Sequence, residues 1–169
     1  PQDLVGLVRT AAEQLDPLLQ QKALRLVVCG AEEPKVVSCD GGRILQVLQN
    51  LLSNAIKFSP HGKTITISLS HQMPDDYPVV SMYGSLVAVT VCDEGIGIPE
   101  GELHTIFHKF VQSSKTKSGA GGTGLGLAIC REIIHAHGGD ILARNNPGGG
   151  TSMTFSLPKE AVPVMMQEE

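Results

Sequence analysis

Two asparagines one helical turn apart, Asn50 and Asn54, share a strip with Lys57 in the segment Asn50-Leu51-Leu52-Ser53-Asn54-Ala55-Ile56-Lys57-Phe58. An asparagine side-chain oxygen is a neutral, hard ligand of the kind Mg²⁺ takes. Further on, Asp93-Glu94-Gly95-Ile96-Gly97-Ile98-Pro99 sets a carboxylate ahead of Gly-x-Gly, so one acceptor stands where the backbone must bend sharply. Then come five glycines in eight residues, Gly119 to Gly126, running straight into an apolar helix-period stretch. Clustered glycines expose consecutive N–H groups, and a helix starting there adds unpaired donors and the positive end of its dipole. That combination suits a polyphosphate.

Neither common phosphate motif accounts for the loop. Gly119, Gly121 and Gly124 match G-x-G-x-x-G, but polar residues 112–118 precede them where the dinucleotide fingerprint requires a strand. A P-loop ends in Gly-Lys-Ser/Thr, whereas Leu follows both Gly124 and Gly126. By itself the loop reads equally well as a flexible surface segment.

The elements that position these residues follow from periodicity. Asp3 is expected to cap a helix carrying Leu4, Val8, Ala11, Leu15 and Leu18 on one stripe, with Pro17 kinking or weakening it. Residues 24–29 and 35–39 read as two strands of a hairpin. A long helix over 42–58 follows Asp40-Gly41; Ile44, Val47, Leu48, Leu51, Leu52, Ala55 and Ile56 fill one arc. Arg43, Gln46, Asn50, Asn54 and Lys57 fall on the opposite strip. An ordinary solvated face is the alternative, but such faces usually carry Glu–Lys pairs rather than asparagines, which are poor helix formers. Residues 64–69 alternate as a half-buried antiparallel strand, and 86–92 form a nearly continuous apolar, central one. A short helix is expected over 99–110, with Phe107 and Phe110 fitting a core on spacing alone. A helix to about His137 ends at Gly138-Gly139, and 141–144 and 152–157 make a final hairpin.

Composition bounds the rest. With 169 residues, 41% hydrophobic and a formal charge of −4, the chain reads as one domain without a nucleic-acid footprint. Cys29, Cys39, Cys92 and Cys130 show no C-x-x-C spacing and are expected to be reduced thiols of a cytoplasmic domain. No apolar run has the length of a membrane span.

Four segments in this order resemble the boxes of the catalytic ATP-binding domain of bacterial sensor histidine kinases, in the superfamily that includes gyrase, Hsp90 and MutL. Asn50–Phe58 resembles the N box and Asp93–Pro99 the first glycine box. Phe107-His108-Lys109-Phe110 resembles the F box, and Gly122-Thr123-Gly124-Leu125-Gly126-Leu127 the second glycine box. The resemblance spans Leu4 to Leu157. It implies an α+β fold, a two-layer α/β sandwich (the Bergerat fold) with a mostly antiparallel sheet packed on helices. The domain would occupy residues 1–158, with 159–169 as a tail.

The resemblance also implies roles. Asn54, assisted by Asn50, would coordinate Mg²⁺, and Lys57 would neutralise phosphate charge. Asp93 would accept from the adenine amino group of ATP, with Gly95, Gly97 and Ile98 beside the purine. Phe107, Lys109 and Phe110 would contact the nucleotide from the F box. Gly122, Thr123, Gly124, Leu125 and Gly126 would wrap the β- and γ-phosphates, and residues 111–121 would form a lid. Asn50 cannot take a proton, so water activation is expected to be poor. The γ-phosphoryl acceptor would be a histidine on a dimerisation and phosphoacceptor helix of the same parent protein, ahead of Pro1. A response regulator or receiver domain would lie downstream. This chain is expected to be monomeric and cytoplasmic, the parent a homodimer that a membrane could anchor. The alternatives are an ATP-hydrolysing superfamily member, an anti-sigma serine kinase, or a regulatory module that binds nucleotide without transfer.

Overall fold

A computed structural model describes residues 1–74, 84–109, 111 and 125–161. Among them, helices α1 (Leu4–Gln21), α2 (Gly41–Phe58) and α3 (Gly126–Ala136) and strands β1 (Gln2–Asp3), β2 (Arg25–Cys29), β3 (Val36–Val37), β4 (Thr64–Ser70), β5 (Leu86–Cys92), β6 (Asp140–Asn145) and β7 (Thr151–Pro158) make up the fold. Two single 3₁₀ turns, Glu100–Glu102 and Thr105–Phe107, lie between β5 and α3. The expected helix over 99–110 is therefore not formed. Its apolar residues still turn inward: Ile106 and Phe107 are buried in the main core.

The main sheet has the order β2-β4-β5-β7-β6. All neighbours are antiparallel except β2 and β4, which are parallel. Strand β4 thus meets one neighbour in each sense, which its alternation alone did not reveal. Strand β5 is central, as its apolar run predicts. Inward residues Ile65, Ile67, Val87, Val89, Val91, Ile141, Phe155 and Leu157 join Leu4, Val8, Ile44, Leu48, Leu51 and Leu52 of the helices in one core. The sheet and its helices therefore form two layers, the α/β arrangement expected.

The predicted hairpin between the second and third strands does not form. Strand β3 pairs with β1, and β2 pairs with β4 across the α2 crossover. Asp3 explains the choice. Its Oδ1 caps α1 by accepting from Val5 N–H at 3.1 Å and also accepts from Lys35 N–H at 2.8 Å. Leu4 N–H then donates to Lys35 C=O at 3.0 Å, so the start of the chain captures the segment next to β3.

Helix α1 continues through Pro17 to Gln21. Asp40 caps α2 through Arg43 N–H at 3.1 Å. At the other end of α2, Lys22 Nζ donates to Ile56 C=O at 2.7 Å and Lys57 C=O at 3.2 Å. A cation on the last carbonyls is favourable both as a hydrogen-bond donor and against the helix dipole. At the chain's far end, Pro158 still belongs to β7, and Lys159 donates to Ser85 C=O and accepts from Ser38 N–H, each at 3.0 Å. Residues 162–169 lie outside the described residues.

Candidate nucleotide site

Helix α2 is the spine of the site because it meets Gly126 at Asn50 and Gly95 at Phe58. Near its middle, Asn50 faces the start of α3: a Cβ added to Gly126 would lie 3.8 Å from Asn50 Oδ1. Cys130, one turn into α3, is fully buried, and desolvation pushes its thiol up to about 11 against a partly offsetting hydrogen bond from Asn50. Asn54 is half-buried within α2, and its side chain makes no hydrogen bond to the described residues. Lys57 is exposed, with Nζ 5.3 Å from the centroid of the Phe58 ring. At the end of α2, Phe58 C=O abuts the first glycine turn: a Cβ on Gly95 would come within 2.7 Å of it. Glycine at 95 is therefore a packing requirement.

Asp93 sits directly after β5 and is buried to 9% exposure. Its Oδ1 accepts from Gly95 N–H at 2.8 Å and Thr151 N–H at 3.1 Å. Its Oδ2 has no partner among the described residues. Burial raises the Asp93 pKa, opposed by the two backbone bonds from Gly95 and Thr151. The site therefore holds one fixed carboxylate with one oxygen committed to the fold and one available as an acceptor.

The turn that follows is held by residues that the periodicity did not mark. Asn145 Oδ1 accepts from Ile98 N–H at 2.8 Å, and Asn145 Nδ2 donates to Ile98 C=O at 2.5 Å. Asn146 Nδ2 donates to Asp93 C=O at 3.1 Å. Gly97 has φ +72°, and a Cβ there would lie 3.1 Å from Asn145 Oδ1. Gly150, at φ +91°, packs so tightly on Asp93 that a Cβ would meet its carbonyl oxygen at 2.0 Å. The run Asn145-Asn146-Pro147-Gly148-Gly149-Gly150 reads in sequence as a plain hairpin turn. The available signal was its paired asparagines, whose side chains readily imitate backbone groups.

Helix α3 begins after Leu125 with neither a side-chain cap nor an acidic residue in its first turn, so nothing in that turn competes with an anion. Phe107 is 6% exposed and packs within the main core, while Lys109 is exposed. Phe110, Gly122, Thr123 and Gly124, and nearly all of the expected lid, lie outside the described residues. The structure thus brings Asn50 beside Gly126 and Phe58 beside Gly95 and Asp93, on one helix.

The profile of the family described as histidine kinase-, DNA gyrase B- and HSP90-like ATPases matches residues 39–161. The chain belongs to this family. Within it, the chain is similar to the sensor histidine kinase WalK of Bacillus subtilis (strain 168), with 43% identity over 123 residues, 72% of this chain and 19% of that protein. It is also 42% identical over 137 residues to the sensor protein KdpD of Clostridium acetobutylicum, covering 80% of this chain and 14% of that protein. The chain therefore spans less than a fifth of either relative. Among solved structures, the catalytic domain of histidine kinase ThkA superposes with a TM-score of 0.76 at 29% identity, covering 94% of this chain and 95% of that one. The fold is that of histidine kinase catalytic domains. Among the described residues, no helix is long and apolar enough to cross a membrane.

Proposed function

We propose that this chain binds ATP with Mg²⁺ and passes the γ-phosphoryl group to a histidine on a phosphoacceptor helix outside it, as a protein-histidine kinase catalytic domain in two-component signalling. The observation that carries the reading is Asp93: a buried carboxylate with Oδ1 tied to the backbone and Oδ2 left to accept. An exocyclic amine donates to such an oxygen, and the carbonyl that guanine carries in its place cannot. Adenine is selected on that ground.

The residues present fit Mg²⁺. No cluster of three or more His, Cys, Asp or Glu that could hold a metal occurs among the described residues. Asn54 and Asn50 instead offer neutral amide oxygens, and Mg²⁺ typically takes few protein ligands and fills its shell with phosphate oxygens and water. Once bound, the ion would neutralise charge on the transferring phosphoryl group. Lys57 and Lys109 add positive charge on the exposed side, and the start of α3 with Leu125 and Gly126 offers backbone donors. Gly122, Thr123 and Gly124 are assigned to the phosphates on the family resemblance. Phosphoryl transfer asks for this kind of positioning and charge neutralisation more than for covalent help.

On this reading residues 1–158 form the nucleotide-binding unit, a monomer that works on the phosphoacceptor helices of a homodimeric parent in the cytoplasm. A response regulator or receiver domain would receive the phosphoryl group next. The supporting comparison is a full-length ShkA structure described as a complex with AMPPNP, which this chain matches at a TM-score of 0.75 and 29% identity over 32% of that chain. The test is a titration of the chain with ATP and GTP with and without Mg²⁺, followed by incubation with radiolabelled ATP and a supplied phosphoacceptor helix pair. ATP-selective, Mg²⁺-dependent binding and acid-labile label on the helix pair are expected. Equal affinity for both nucleotides rejects the role of Asp93.

The family name covers ATPases as well, so hydrolysis is the second reading. Asn50 opposes it, because an amide cannot serve as a base for water. Sustained ATP turnover by the chain alone would favour it over transfer.

A further inference from the structure

The geometry points to Asn145 as a positioning residue for the purine: its side chain fixes the Gly95–Ile98 turn in the conformation that lets Asp93 tell adenine from guanine. This rests on the nucleotide reading above. Asn145 ends the edge strand β6, and its backbone is paired with Thr151. Its amide reaches across to a different segment and engages both backbone groups of Ile98, accepting at 2.8 Å and donating at 2.5 Å. One side chain thus does for Ile98 what an adjacent strand would do. The neighbouring asparagine holds the other end. Asn146 Nδ2 donates to Asp93 C=O at 3.1 Å and approaches Cys92 Sγ at 3.2 Å, while Ser152 Oγ donates to Asn146 Oδ1 at 2.5 Å.

Between the two anchors lie Gly95 and Gly97, which impose little conformation of their own. Gly97 is in left-handed backbone and packs against Asn145 Oδ1. The two ends are independent. Asp93 keeps its bonds to Gly95, Thr151 and Asn146 when Asn145 is replaced by alanine, whereas Ile98 loses both of its bonds to that side chain. Removing the Asn145 amide therefore loosens the wall beside the carboxylate without unseating the carboxylate. A generally weakened fold would lower both affinities in proportion. A loosened purine wall reduces ATP binding more than GTP binding, because only ATP depends on alignment with Asp93.

The experiment compares ATP and GTP affinities of the unaltered chain, Asn145→Ala and Asn145→Asp by competition against a fluorescent ATP analogue. Amide hydrogen exchange at Ile98 is followed in parallel. Asn145→Asp has the same shape and keeps the acceptor for Ile98 N–H but sets an oxygen against Ile98 C=O. It decides the question if Asn145→Ala does not unfold cooperatively. The expected result is an ATP affinity about tenfold weaker, equivalent to the loss of one to two net hydrogen bonds. The ATP:GTP ratio narrows and Ile98 exchanges faster. A native ratio in a folded variant overturns the inference and leaves the nucleotide reading intact. Failure of the unaltered chain to bind ATP overturns the nucleotide reading itself.

Discussion

Thr151 grips Asp93 with both of its backbone groups: its N–H donates to Asp93 Oδ1 at 3.1 Å, and its C=O accepts from Asp93 N–H at 2.9 Å. The grip fixes the carboxylate at the end of the central strand, in surroundings that raise its pKa above the ordinary 3.8, through burial first. A raised carboxyl pKa means that the folded state holds the proton more tightly than the unfolded one. Its contribution to stability is present below the ordinary value and is lost as pH rises through the folded value.

Asp93→Asn is therefore expected to raise the melting temperature at pH 7, since an amide oxygen still accepts from Gly95 and Thr151 without burying charge. The advantage over the unaltered chain should shrink as pH falls toward 3.8. The same substitution should weaken ATP binding. In the unaltered chain, ATP affinity should drop on acidification at a pH above that of an ordinary aspartate. Thermal melts and nucleotide titrations over one pH series check both; an Asp93→Asn chain less stable than the parent at pH 7 contradicts the assignment.

Gly150→Ala is expected to cost about 3 kcal/mol, combining left-handed backbone with overpacking. Its Cβ would meet Asp93 O at 2.0 Å, and backbone has to move to relieve that contact. Urea unfolding measures the loss. Gly148→Ala, also at positive φ but with nothing within 4 Å, isolates the backbone part of the cost.

Lys22→Met should cost about 1 kcal/mol by removing a cation from the carbonyl end of α2. The loss should be smaller when measured at high salt, because Lys22 is only half-buried. Denaturant midpoints at two ionic strengths distinguish this from lost packing, which salt would not relieve.

Asn54→Ala should leave melting nearly unchanged, since the Asn54 side chain makes no hydrogen bond among the described residues. Mg²⁺-dependent transfer to a supplied phosphoacceptor helix should fall on the order of a hundredfold. Initial rates over a magnesium series test this; an undiminished rate rules out the metal role.

Much of this was legible in the sequence because the signals were local. Helix α2 announced itself through a 3.6-residue stripe, with the asparagines on the strip left over. Strand β5 did so through its unbroken apolar run. The misread parts were non-local. Strands β2 and β3 are short, apolar and separated by a turn, which is the pattern of a hairpin. Only the capture of Lys35 by Asp3 and the return of β4 decide the partners. Residues 99–110 carry helical spacing, yet they form only two single turns, neither of which has a side-chain cap. Asn145 and Asn146 look like any turn asparagines, and their importance depends on a segment 47 residues away in the chain.

The family profile matches from position 39, yet β2 lies ahead of that residue and pairs along one edge of β4. A chain started at Cys39 would bare a five-residue ribbon of unpaired main-chain groups along Thr64–Ser68, alternating Thr/Ser with Ile. Such a ribbon invites a neighbouring molecule to zip onto it, so a fragment trimmed to the recognisable family core would be prone to self-association for reasons unrelated to its nucleotide chemistry.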